Sequence, residues 1–156
     1  TSVLLAGSLR HGALIAGAPE EIYNALYDFG GCLGLAFQLQ DDYLDVYGNE
    51  KSFGKQIGGD ITINKKTFML IKALENANDE QRAELQNWIT TKHFDRNEKV
   101  QAVTELYNAI GVREMALAEI ANYIVQCKEI LRNIPIEEEK KSVFYEMITT
   151  LEGRNH

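Results

Sequence analysis

The chain has 156 residues, of which 45% are hydrophobic and 25% charged, with a formal net charge of −7. This is an ordinary globular composition, long enough for one domain with a real core, and its acidic balance argues against a nucleic-acid surface. The longest apolar stretches are interrupted by Arg10, His11 or Gln38 and fall short of a membrane span.

Taken in chain order, the hydrophobic periodicity predicts helices over 2–16, 19–46, 66–77, 79–90, 96–109, 112–133 and 136–151. No strand-like alternation persists and no internal repeat is present, so the expected fold is an all-α helical bundle formed as a single unit. Pro19 and Pro135 are placed to open helices, Asp79 and Asp95 to cap them. In the helix at 112–133, Val112, Met115 or Ala116, Glu119 or Ile120, Tyr123, Cys127 and Ile130 or Leu131 share a broad side, as core packing requires. Cys32 and Cys127 lack metal-ligand spacing and read as buried thiols of a reducing cytoplasm. His11, His93 and His156 form no zinc pattern, and no GxSxG nucleophile elbow is present.

The run Gln38-Leu39-Gln40-Asp41-Asp42-Tyr43-Leu44-Asp45 carries the strongest chemical signal. Its three carboxylates stand at i, i+1 and i+4, and Gln38 joins them on one helix stripe. Carboxylates so close repel unless a cation lies between them. Hard oxygen ligands suit Mg²⁺, which commonly takes one or two carboxylates together with substrate phosphates. An acidic helix face is more often simply solvated. Here Cys32, Leu33, Leu35, Ala36, Phe37 and Leu39 precede the acids, a flank too apolar for a solvent-facing helix, so a cleft is expected. Gly31 and Gly34 continue the stripe, and Gly30, Gly31 and Gly34 each cost roughly 1 kcal/mol against Ala in mid-helix. Either close helix packing or clearance for a bulky substrate could compensate.

A glycine-rich, basic loop follows, from Gly48 through Gly54-Lys55-Gln56-Ile57-Gly58-Gly59-Asp60 to Lys65-Lys66-Thr67. Its glycines allow close backbone approach to a ligand, and Lys55 and Lys65 can bring point charges to phosphate oxygens. It is not a Walker loop: five residues separate Gly48 from Gly54, and Gln56 follows the lysine where Ser or Thr belongs.

Together, Phe37-Gln38-Leu39-Gln40-Asp41-Asp42-Tyr43-Leu44-Asp45 and the pattern Gly54-Lys55, Gly58, Asp60, Lys65, Thr67 resemble the trans-isoprenyl diphosphate synthases, the farnesyl and geranylgeranyl diphosphate synthase group. The opening from Thr1 to Ala18 also looks like that family's helix after its Lys-Thr pair. The resemblance is strongest over residues 1 to about 70. The family has two DDxxD motifs and this chain one, so the resemblance implies the C-terminal half of such an enzyme, inactive as an isolated piece and completed by an N-terminal half.

The resemblance further implies an all-α isoprenoid synthase-type fold, a cytoplasmic homodimer for the parent enzyme, and a Mg²⁺-dependent prenyltransferase joining isopentenyl diphosphate to an allylic diphosphate. Asp41, Asp42 and Asp45 would be the catalytic metal ligands. Lys55 and Lys65 would bind the allylic diphosphate, Gln38 would face the allylic substrate, Phe37 would line the isopentenyl side, and Thr1 matches a position beside a phosphate-binding lysine. Three other readings stay open: a class I terpene cyclase, whose Asn-Ser-Glu-type motif is absent here; a non-catalytic regulatory subunit of a heteromeric prenyl diphosphate synthase, in which loss of these acids or lysines is expected; and a purely structural bundle, which has no need of the loop.

Overall fold

The computed structural model describes residues 1–49 and 56–154. Among them lie eight α-helices and no strands: α1 (Ser2–Ile15), α2 (Glu20–Tyr47), α3 (Gly59–Thr62), α4 (Phe68–Asn76), α5 (Asp79–Thr90), α6 (Arg96–Ile110), α7 (Val112–Asn133) and α8 (Glu138–Glu152). The all-α expectation holds. The one-turn helix α3, too short for a periodic signal, is an addition. The described residues form two compact units, one of residues 1–40 and 119–154, the other of residues 41–118.

In the first unit the apolar faces of α1, α2, α7 and α8 bury Ala6, Phe29, Ala36, Cys127, Leu131 and Ile148. The Phe29 and Phe144 rings meet edge to face with centroids 5.5 Å apart, a geometry that aligns ring edge with ring face. The glycines of α2 settle one open question. A Cβ on Gly34 would lie 2.5 Å from Ser2 Cα, and one on Gly30 would lie 2.8 Å from Ala6 Cα. The Ser2 hydroxyl donates to the Gly31 carbonyl at 2.7 Å. Gly30 and Gly34 therefore serve close packing against α1. At Gly31 a Cβ would meet only Ser2 Oγ, at 4.0 Å. Val3, Leu4 and Ile15 of α1 are exposed.

In the second unit α3, α4 and α5 pack on α6, and α4 on α5. Met69, Ala73, Leu85, Val103 and Tyr107 form the core. The caps follow side-chain chemistry. Thr67 accepts from the Leu70 amide and Asp95 from the Glu98 amide. The cap of α5 is Asn78, not Asp79: Asn78 and Gln81 exchange side-chain and backbone hydrogen bonds as a capping box. Asp79 instead occupies the first turn, where its charge suits the helix dipole.

Pro19 stands immediately before α2, its carbonyl accepting from Ile22 and Tyr23. Pro135 precedes α8 by a turn in which Ile136 N–H bonds the Ile134 carbonyl, so α8 begins at Glu138 rather than at 136. On α7 the buried stripe runs through Val112, Ala116, Ile120, Ile124, Cys127 and Leu131, with Ile124 in the place expected of Tyr123. Cys32 and Cys127 are both buried and free.

Candidate functional site

The last turns of α2 deliver Asp41, Asp42 and Asp45 into the second unit. Asp42 is buried, whereas Asp41 and Asp45 are half-buried. The chain returns to them at Gly58, whose amide donates to the Asp45 carbonyl at 2.6 Å. Gly58 has φ +79, and a Cβ there would press to 2.6 Å from Val100. Only glycine meets both demands. The Asp45 carboxylate then accepts from the Asp60 amide at 2.9 Å, satisfying an orphan donor at the start of α3.

Lys65 closes the cluster. Its ammonium donates to Asp60 Oδ2 at 2.7 Å and to Asp42 Oδ1 at 3.3 Å, while its amide donates to the Asp60 carbonyl at 3.0 Å. The hydrogen bond to Asp60, joined by the charge and hydrogen bond of Asp42, raises the Lys65 pKa above the ordinary lysine value despite some desolvation. For the buried Asp42, a paired ammonium offsets the cost of desolvating a carboxylate. Burial is also the main influence at Asp45: it raises that pKa, and the Asp60 amide only partly opposes it. Asp41 has no hydrogen-bonding or ionic partner among the described residues.

So the three acids do not share one environment. Asp42 neutralises a lysine, Asp45 holds a backbone turn, and Asp41 is left open. Among the described residues no group of three or more His, Cys, Asp or Glu side chains converges to hold a metal. Lys55 lies outside the described residues, as do the loop positions 50–54.

The remaining predicted residues belong to the first unit. Thr1 Oγ1 donates to Gln38 Oε1 at 2.9 Å. Phe37 lines an apolar cavity of about 470 Å³ with Leu5, Leu33, Met147 and Arg154, and the Arg154 guanidinium lies 4.5 Å from its ring centroid.

A family model described as polyprenyl synthetase matches residues 1–109. The chain belongs to the polyprenyl synthetase family. It is 37% identical over 131 residues to a short chain isoprenyl diphosphate synthase of Methanothermobacter thermautotrophicus, covering 84% of this chain and 39% of that protein. Its fold matches a geranylgeranyl pyrophosphate synthase crystal structure with a TM-score of 0.90 and 35% identity, over 100% of this chain and 49% of the other. A second such enzyme, from Corynebacterium glutamicum and solved with isoprenyl diphosphate and magnesium, matches with a TM-score of 0.85 and 28% identity, over 97% of this chain and 43% of the other. The chain thus spans about two fifths to half the length of these relatives.

Within this polyprenyl synthetase chain, sequence reasoning left three contributors unassigned. Asp60 falls inside the matched pattern, yet its role as Lys65's nearer partner appears only in the structure. Arg96, whose Nη2 donates to the Ile57 carbonyl at 2.5 Å, and Lys99, whose Nζ donates to Asn64 Oδ1 at 2.7 Å, come from α6. They lie more than thirty residues from their partners, where no spacing rule reaches.

Proposed function

We propose that the chain is part of a prenyltransferase that joins isopentenyl diphosphate to an allylic diphosphate, with Mg²⁺ assisting departure of the allylic diphosphate. The observation that carries this reading is the acid–lysine cluster of Asp42, Asp45, Asp60 and Lys65 beside the open carboxylate of Asp41. Its donors suit Mg²⁺, a hard cation that needs only one or two carboxylates when substrate phosphates and waters complete its shell. Asp41 offers a carboxylate unengaged among the described residues. Asp45 is an anion under-compensated in its half-buried setting, a condition that a nearby cation would relieve. Asp41 would be the direct ligand, with Asp42 and Asp45 holding bound waters or a second contact. When bound, the metal supplies Lewis acidity to the leaving diphosphate oxygens.

The chain's own residues supply the rest. Lys65 places a fixed positive charge among the acids, and with Lys55 would share the diphosphate's negative charge. Phe37 and the apolar cavity beside it suit a short hydrocarbon, with Arg154 the cation on its wall. Gln38, oriented by Thr1, would face the allylic substrate. No side-chain nucleophile is required. The activity, a homodimeric state and a cytoplasmic location are proposed for the whole protein, and residues 1–156 alone are proposed to be inactive.

The decisive experiment incubates the whole protein with labelled isopentenyl diphosphate, dimethylallyl or geranyl diphosphate and Mg²⁺. Longer prenyl diphosphates should form, and chelation with EDTA should abolish them. Failure to elongate any allylic primer would overturn the reading.

A further inference from the structure

Among the described residues of the second unit, Lys99 is the most deeply buried cation, at 1% exposure, and no described carboxylate pairs with it. Burial accordingly lowers its pKa. A charged group is retained in such a place only when its hydrogen bonds are met. Its ammonium donates to Asn64 Oδ1 at 2.7 Å, lies 3.5 Å from the Thr62 carbonyl, and sits 4.2 Å from the Phe94 ring centroid. The carbonyl is one of those left over at the end of α3, and the ring face attracts a cation.

What these contacts hold is a turn. Asn64 takes φ +52, the only positive φ of a non-glycine among the described residues. Its side chain is gripped at both ends: Oδ1 by Lys99, and Nδ2 by the Ile89 carbonyl at 3.0 Å. The next residue is Lys65, which the turn carries back to Asp60 and Asp42.

We propose that Lys99 is a positioning residue for the acid–lysine cluster: by holding Asn64 and the end of α3 it fixes the turn that presents Lys65 to Asp42 and Asp60. The link to diphosphate handling rests on the prenyltransferase reading; the link to the turn does not. Among the described residues Lys99 has no hydrogen bond or ion pair with Lys65 or the acids, so its effect passes through Asn64 and the Thr62 carbonyl at the end of α3.

The test uses the whole protein with Lys99→Met, Asn64→Gly and the double variant. Met keeps the buried stem without the charge, and Gly accepts the positive φ without the anchoring amide. Amide hydrogen exchange at Asn64 and Lys65 should quicken about tenfold or more in each single variant, the scale of one lost hydrogen bond to a charged group. Exchange within α5 and α6 should keep wild-type rates. Calorimetric affinity for inorganic pyrophosphate with Mg²⁺ should fall in both singles, and the loss in the double should be smaller than the sum of the two, because both break the Lys99–Asn64 contact.

Wild-type exchange at 64 and 65 in a folded Lys99→Met protein overturns the proposal, as does an equal loss of protection throughout α6. If Lys99→Met does not fold, Asn64→Gly decides by the same exchange criterion. A loosened turn with unchanged pyrophosphate affinity also overturns the positioning role. A wild-type protein that neither binds pyrophosphate nor elongates a primer defeats the functional reading instead, leaving the turn to be judged by exchange alone.

Discussion

Residues 29–40 and 41–47 are consecutive stretches of one helix, yet they are held by opposite means. In the first, contact is close packing: Gly30 and Gly34 admit the main chain of α1, the Phe29 ring meets Phe144, and the buried Gln40 side-chain amide donates to the Leu151 carbonyl at 2.9 Å. In the second, Tyr43, Leu44 and Val46 are buried, while the acids are held by polar contacts made one by one: Asp42 takes Lys65, Asp45 takes the Asp60 amide, and Asp41 takes nothing among the described residues. The bare glycine stripe is thus largely filled by a neighbouring helix. The acids, alike in spacing, are divided by what the returning chain brings to each. Equal periodicity does not mean equal environment.

The sharpest way to break this comparison lies in the open carboxylate. Asp41→Ala in the whole enzyme is expected to lower turnover about 10²–10³-fold, the cost of one lost contact to developing transition-state charge. Steady-state kinetics at saturating Mg²⁺ measure it. Near-normal turnover would mean that the acids form only a polar helix face.

The packed stretch yields a smaller effect. Gly34→Ala should destabilise by about 1–3 kcal/mol, since its methyl meets backbone that can yield only by shifting the helix pair. Gly31→Ala should be neutral or stabilising by up to roughly 1 kcal/mol, gaining helix propensity with only Ser2 Oγ in ordinary van der Waals contact. Chemical denaturation compares the two. Equal destabilisation would mean that α1 does not approach as described, and a stable Gly31→Ala protein with impaired activity would restore the substrate-clearance reading at that position.

The smallest effect concerns pH. Asp45's folded pKa is raised above its ordinary 3.8, mainly by burial. The fold therefore favours its protonated form, and that contribution is present below 3.8 and lost as pH rises through the folded value. Asp45→Asn keeps an oxygen for the Asp60 amide and removes the titration. Without metal, its melting temperature relative to wild type should rise from pH 3.5 to 7. A difference that falls with rising pH would show that the Asp60 amide outweighs burial.

Much of this was legible locally. Helix periods, the Asp95 cap, the placement of Pro19 and the motif from Phe37 to Asp45 are set by residues a few positions apart, because capping and amphipathicity are short-range. The errors of a residue or two, such as Asp79 for Asn78, arose where two neighbouring side chains could both serve and only the backbone turn chose between them. Tertiary structure alone decided the rest: which helix fills the glycine face, which acid meets Lys65, and that Lys99 reaches Asn64 across thirty-five residues. The physical reason is that burial and electrostatic pairing depend on separation in space, whereas a single sequence displays only separation along the chain.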